Sequence, residues 1–343
     1  MMQNAVNNNP SGSTKARRPA HVLAVALLCA TWMLICVGGV VTTQRAGMAF
    51  EDWPTSDGSN MFLYPWFRAA GDKFIEHGHR LFGALVGMIA IALCASLWIT
   101  EGGRRRWLAW LGVAALALVI FQGVLGGMRV RASDIDLAKI HGCVAPLFFA
   151  LTVAIAVFTS RWWCDRKIVR CMASGRLQQI AIVTTVLAYL QLILGAQLRH
   201  VAPFSSGEAF RMAVLFHLVL AAVLLLDVLV LVVLMRRHLS DERTLVRPSQ
   251  LLLGMIVVQV VLGMGSWVLK YSWPAGIFAD SRLVAGWTNT AGGVAESIVV
   301  TAHVAVGSLI LGTSLLISLR LLRGMRKAAN PQLGAIALLG VTL

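Results

Sequence analysis

Residues 76–101 read EHGHRLFGALVGMIAIALCASLWITE. Between Arg80 and Glu101 lie 20 residues without a charge. At about 1.5 Å per residue they reach roughly 30 Å as an α-helix, the thickness of a bilayer's hydrocarbon core, with every backbone hydrogen bond satisfied internally. The stretch therefore reads as a transmembrane helix that opens on a histidine.

The rest of the chain repeats this reading. Seven further stretches of comparable length lie between Arg18 and Arg45, Arg106 and Arg129, Lys139 and Arg161, Arg176 and Arg199, Arg211 and Arg236, Arg247 and Lys270, and Glu296 and Arg320. Among all eight, only that of Asp227 contains a charge. With 58% apolar residues, 13% charged residues and a mean hydropathy of +0.75, the 343-residue chain exceeds what a soluble domain carries. The expected fold is an all-α polytopic membrane protein of eight transmembrane helices.

The net charge of +15 is unevenly distributed. Lys15, Arg17 and Arg18, Arg104 to Arg106, Arg161 to Arg176, Arg236 to Arg247, and Arg320 to Lys327 all fall on one side of an eight-span topology. The positive-inside rule makes that side cytoplasmic and puts both termini there. Basic residues spaced by helix hairpins, rather than gathered in one patch, exclude nucleic acid as the partner and leave the bilayer. The same boundaries predict external loops of about 30, 10, 12 and 26 residues. The polar, Asn-rich start is expected to be disordered, with the helix after it an uncleaved anchor. Pro331 to Leu343 is apolar but too short to span. Cysteines 29, 36, 94, 143, 164 and 171 fall in spans or on the cytoplasmic side, so no external disulfide is expected.

Four inward-running helices open on His79, His141, His217 and His303, which puts four imidazoles at one depth. Between them a word recurs: Gln122-Gly-Val-Leu-Gly126, Gln191-Leu-Ile-Leu-Gly195 and Gln259-Val-Val-Leu-Gly263, with Gly38-Gly39 at a similar level in the first helix. One histidine per hairpin suggests duplicated halves, 20–176 and 177–322, between a cytoplasmic N-terminus (1–19) and tail (323–343). Loop lengths do not repeat, so the duplication rests on the motifs.

A single histidine in a membrane helix can hydrogen-bond a neighbour, line a proton path or bind a metal. Two per half can clamp a flat macrocycle from both faces, and bis-histidine haem is the natural occupant. Gly78, Gly83, Gly87, Gly142 and Gly307 beside the histidines would give clearance, although Gly83-x-x-x-Gly87 is equally a helix-packing pattern. Zinc fits poorly, because no Cys or carboxylate completes a tetrahedral set. Haem propionates call for cations, and Arg80, Arg129, Arg131 and Arg199 stand at the external helix ends, where an arginine can also snorkel to headgroups. His21, His77, His200 and His238 are set aside, on position or direction. Asp227, far below the histidines, pairs locally or conducts a proton. Glu76 precedes His79 by three residues, so it shares a helical face with the ligand and reads as base or orienter, or as a first-turn acid favoured by the helix dipole. Glu296, two turns before His303, is a looser parallel.

Taken together, Glu76-x-x-His79-Arg80, histidines opening the fourth, sixth and eighth helices, the Q-x-x-L-G words, Asp52-Trp53-Pro54 and Thr301-Ala302-His303 resemble the haem A synthase family over roughly residues 20–322. The resemblance implies an oxidoreductase that converts the ring methyl of haem O to a formyl group, giving haem A for terminal oxidases. It implies substrate haem O on His79 and His141, resident haem B on His217 and His303, and Glu76 as the essential acid beside the substrate. It further implies a bacterial inner-membrane setting, membrane electron carriers, and haem O synthase and oxidase assembly factors as partners. Many bacterial relatives carry a cysteine pair in the first external loop, and residues 44–75 contain none, which puts any thiol-dependent step in doubt. A di-haem electron-transfer cytochrome is the alternative, and Glu76 is the residue it does not need. A transporter or haem carrier would need a polar path that the helix interiors lack, apart from Asp227.

Overall fold

The computed structural model describes residues 18–164, 175–200, 206–271 and 293–328. The proposed disordered start, Cys171 and Pro331 to Leu343 lie outside these residues. Within them the chain forms eight long helices: α1 (Arg18–Thr43), α2 (Asp72–Glu101), α3 (Arg106–Ala132), α4 (Ile135–Thr159), α5 (Gly175–Arg199), α6 (Gly207–His238), α7 (Arg243–Tyr271) and α8 (Val294–Ala328). Each is long and apolar enough to cross a membrane, and the protein is a multi-pass membrane protein. Large apolar side chains such as Ile99, Leu218 and Val261 stay exposed on the helix surfaces, as expected of faces solvated by lipid.

Neighbours in sequence are neighbours in space. Helices α1 to α4 pack in order and close into a ring through α1 and α4; α5 to α8 do the same through α5 and α8. The two rings meet where α1 touches α8, α4 touches α5, and α4 touches α8. Exchanging one ring for the other maps the first of these contacts onto the second and the third onto itself, the pattern of a pseudo-two-fold arrangement.

Each ring is packed tightly at the end away from its histidines. In the first, Leu27, Val86, Leu93, Leu97, Leu108 and Ile155 are fully buried against each other. In the second, Leu177, Leu231, Met235, Leu252, Ile317 and Leu321 do the same. Lipid tails supply no hydrophobic drive between helices, so this packing relies on dispersion and on small residues that let backbones approach. Between the rings, Gly39 of α1 meets Thr301 of α8, Trp32 donates to the carbonyl of Ala305 (3.2 Å), and Gln44 bonds Ser297 (2.5 Å).

The loop between α3 and α4 is much shorter than the charges suggested. Helices α3 and α4 run past Arg129, Arg131, Asp136 and Lys139 and leave only Ser133 and Asp134 between them. Ser133 takes the left-handed conformation (φ 50°), and Asp134 caps α4 by accepting from the amides of Asp136 and Leu137. Charged side chains reach sideways to water from a continuing helix, so a charge marks the interface without ending the helix.

The loop from 44 to 71 is ordered by polar contacts. Asp52 accepts from the amides of Asp57 (3.0 Å) and Gly58 (2.9 Å), and Lys73 pairs with Asp57 (2.6 Å). A single 3-10 turn, Trp66–Arg68, lays the Trp66 indole over Phe74 and against Gly78.

Candidate functional site: two histidine pairs

The recurring glycines are the seats of the histidine rings. A Cβ on Gly38 would stand 3.1 Å from Cε1 of His79; on Gly126, 3.3 Å from Cε1 of His141; on Gly195, 3.6 Å from Cε1 of His217; on Gly263, 3.1 Å from Cε1 of His303. Each ring, on α2, α4, α6 or α8, therefore rests on bare backbone of the preceding helix, at the same atom each time. The glutamines four residues earlier grip three of the four histidines. Gln122 donates to the backbone carbonyl of His141 (3.2 Å), Gln191 to that of His217 (3.0 Å) while also meeting its Nε2 (3.2 Å), and Gln259 meets Nε2 of His303 (3.4 Å). Sequence alone put these words at the histidines' depth. It did not assign them this role, because the partner sits on another helix.

The structure brings the histidines together in pairs. The rings of His217 and His303 have centroids 6.5 Å apart and planes inclined at 57°. Two imidazoles bound to opposite sides of one iron, with metal–nitrogen bonds of about 2 Å and roughly 1 Å more from nitrogen to ring centre, would show about 6 Å. His141 and Arg129 lie within electrostatic reach of His79, as His217 and Arg199 do of His303. The buried Nδ1 atoms of all four histidines have no hydrogen-bond partner, and neither do the Oε1 atoms of Gln122, Gln191 and Gln259. Buried polar atoms are rarely orphaned unless a ligand completes them. The residues fit a bis-histidine macrocycle. Among the described residues no cluster of three His, Cys, Asp or Glu could hold a bare metal ion.

The clearance glycines are not where it was expected. Gly78 is covered by Trp66, and Gly307 is filled by the Gln259 amide (3.1 Å) and Leu192 (3.1 Å), because α7 and α5 press into that groove. Gly142 has ordinary contacts to Ala196 and His200. Only Gly83 and Gly87 border open space.

Glu76 is buried, and both of its oxygens are engaged. Oε2 accepts from the amides of Ala49 (2.7 Å) and Phe50 (3.2 Å), and Oε1 from Arg80 (2.7 and 3.2 Å). Arg80 also donates to the carbonyls of Asp52 (2.9 Å) and Thr55 (2.8 Å). Nε and Nη2 of its guanidinium thus serve Glu76 and Nη1 serves the loop, so the edge that would meet a carboxylate ligand is already taken by Glu76. His77, fully buried, packs under the same loop against Phe50 and Tyr64, with Nδ1 3.2 Å from Ser56 Oγ.

Arg129 and Arg199 are different. The Arg129 guanidinium lies against Gly47, and Arg199 donates to the carbonyl of Gly39 and to Thr43 Oγ1 (3.0 Å) across the interface between the rings. No carboxylate among the described residues forms an ion pair with either. The two cations are within electrostatic reach of each other. Half-buried guanidinium groups without an ion-pair partner favour an anion. His200, set aside on sequence grounds, closes this cluster. Burial first, then the charges of Arg199 and Arg129, hold its imidazole down at about 4. Arg131, at the end of α3, has a mostly exposed side chain. Glu296 is buried in the first turn of α8. Asp227 pairs locally, meeting Thr184 Oγ1 at 2.5 Å.

Comparison with known proteins points to the same region. Residues 67–203 match the model of the COX15-CtaA family, described as cytochrome oxidase assembly protein. A protein named "Heme A synthase" from Brucella ovis is 28% identical over 154 residues, covering 43% of this chain and 41% of that protein. Another of the same name from Rhodopseudomonas palustris (strain HaA2) is 32% identical over 143 residues, 38% of each chain. The chain thus spans about two fifths of the length of these curated relatives. His217 and His303 lie beyond the family-model match. The stretch from 67 to 203, with Glu76, His79, Arg129, His141 and Arg199 inside it, is the part of the chain that is similar to the COX15-CtaA family.

Proposed function

We propose that this protein is a haem A synthase, an oxidoreductase that converts the ring methyl of haem O to a formyl group by successive hydroxylations. The observation that carries this reading is the pair of histidine clefts, each ring seated on a glycine, with the rings of His217 and His303 6.5 Å apart, where they would hold a haem between them. The first ring of helices, 20–176, takes haem O on His79 and His141. The second, 177–322, keeps haem B on His217 and His303. The clusters of Lys and Arg support cytoplasmic termini and a bacterial inner-membrane setting, with the histidines toward the outer face.

When bound, haem B supplies one-electron transfer. The chain's own residues hold and orient. The histidines fix both macrocycles, and Arg129 and Arg199 neutralise their propionates between the two clefts, more suitably than Arg80, which the loop occupies. Each hydroxylation removes two electrons from the methyl carbon, and the second product loses water to leave the aldehyde. Glu76, three residues before His79 on α2, is the base assigned to the proton leaving the methyl or an attacking water. Its engagement by two amides and Arg80 favours a second role, as the anchor that holds the loop over that cleft. Membrane electron carriers accept the electrons, and haem O synthase and oxidase assembly factors are the protein partners this reading implies.

Extraction and chromatography of haem from protein purified from cells that make haem O tests the reading. Haem B together with haem O, its hydroxylated form or haem A is expected. Two equivalents of haem B and nothing else would make the protein an electron-transfer cytochrome instead.

A further inference from the structure

The four clefts are built alike except in one respect. At His141, His217 and His303 the glycine seat is preceded, four residues earlier, by a glutamine whose amide grips the histidine or its backbone. At His79 the seat is Gly38 and the residue four earlier is Leu34. Among the described residues no hydrogen bond reaches the His79 ring, and its buried Nδ1 has no partner.

The asymmetry also separates the halves. In the second, glutamine amides touch the rings of both His217 and His303. In the first, Gln122 holds only the backbone of His141, and nothing polar holds His79. An imidazole bound through one ring nitrogen carries its proton on the other, and an acceptor for that proton fixes its orientation and raises its basicity. Three sites hold a glutamine whose amide nitrogen meets the histidine's Nε2 or its backbone carbonyl; at the fourth the corresponding position is Leu34, which has no such group. An iron with two imidazoles has no vacant position, so a small ligand can enter only where one imidazole lets go.

We infer that His79 is the exchangeable ligand and that the first cleft, at the His79 side, is a binding position for a neutral diatomic molecule of the dioxygen class. The inference rests on the haem reading above. The exchange replaces one donor by another, and no electron or proton changes hands. His141, His217 and His303 stay bound, so the second cleft remains closed to such ligands and suited to electron transfer alone. The open faces of Gly83 and Gly87, one and two turns below His79 on α2, border space on the same side.

Carbon monoxide added to the dithionite-reduced, haem-loaded protein is the probe, read by difference absorption spectra against total haem from extraction. The expected result is two haems per chain, one of which binds carbon monoxide. Leu34→Gln, which restores the missing amide, should lower the carbon monoxide-bound fraction several-fold at unchanged haem content. Gln259→Leu should open the second haem to the same probe, and it decides the matter if Leu34→Gln does not fold. Two haems per chain with neither or both binding in the unaltered protein would overturn the inference and leave the synthase reading standing. So would a single reactive haem that neither substitution affects. Fewer than two haems per chain would overturn the reading itself, and the inference with it.

Discussion

The indole of Trp53 lies directly on the backbone of Gly127, with no room for a Cβ between them. The neighbouring Gly126 carries His141 on its own exposed side. One Gly-Gly step in α3 thus supports the 44–71 loop and a candidate ligand at once. Gly127→Ala should displace Trp53 and loosen the loop, at about 1–3 kcal/mol, the usual penalty for overpacking a tight contact. The check is thermal unfolding in detergent together with limited proteolysis of residues 44–71. An unchanged midpoint and cleavage pattern would show that the contact contributes little.

Glu76→Gln separates the two roles open to that residue. A neutral amide keeps one acceptor oxygen but turns an NH2 group toward amide or guanidinium donors, which costs about 1–3 kcal/mol where a buried donor is left unmet. If Glu76 is the base, the variant keeps a firm loop and its haem but accumulates haem O or the hydroxylated form. If Glu76 anchors the loop, proteolysis of 44–71 accelerates, and Glu76→Asp, which keeps the charge but shortens the reach, fails in the same way. Normal haem A production by Glu76→Gln would remove both assignments.

Arg199→Met should weaken the junction of the two rings and the retention of haem. The substitution keeps the apolar stem but deletes the donor to Gly39 and Thr43, along with one of the two charges that form no ion pair. Haem content by pyridine haemochrome is expected to fall several-fold, and the midpoint potential of the remaining haem to drop as a nearby cation is lost. An unchanged potential would mean that the guanidinium does not reach the macrocycle's acids.

His200 gives the fold a pH dependence with a definite sign. Its imidazole stays neutral in the folded protein down to about 4, whereas the unfolded chain takes up the proton near 6.5. The unfolded state therefore binds more protons between those values, and this contribution to stability, complete above about 6.5, is lost as pH falls toward 4. Unfolding midpoints measured from pH 7.5 to 4.5 should decline, and His200→Gln should flatten the decline. A parallel slope in the variant would assign it to other groups.

Much of this molecule can be read from residue order. Twenty or more residues in a row, uncharged in seven runs and carrying only Asp227 in the other, have one stable form in a bilayer, because every backbone polar group must be satisfied within the segment, so eight helices follow from eight such runs. The placement of His79, His141, His217 and His303 at a common depth follows from where each run begins. The charge pattern was less faithful at helix ends: Arg129 and Arg131 marked the interface, but α3 continued through them to Ala132.

Relations between helices were decided only in three dimensions. That Gly38, Gly126, Gly195 and Gly263 seat the histidine rings depends on which helix faces which, and no periodicity within one segment carries that information. Arg80 and Arg129 look equivalent along the chain, each a cation at a helix end. Folding gives the first to Glu76 and two loop carbonyls and leaves the second without an ion-paired carboxylate, although Gly47 of the same loop lies against its guanidinium. Residue order thus determined the membrane fold and the identity of the candidate ligands, through local hydrogen-bonding necessity. Tertiary packing alone decided which ligand is gripped and which cation is free, since those depend on partners far apart in the chain.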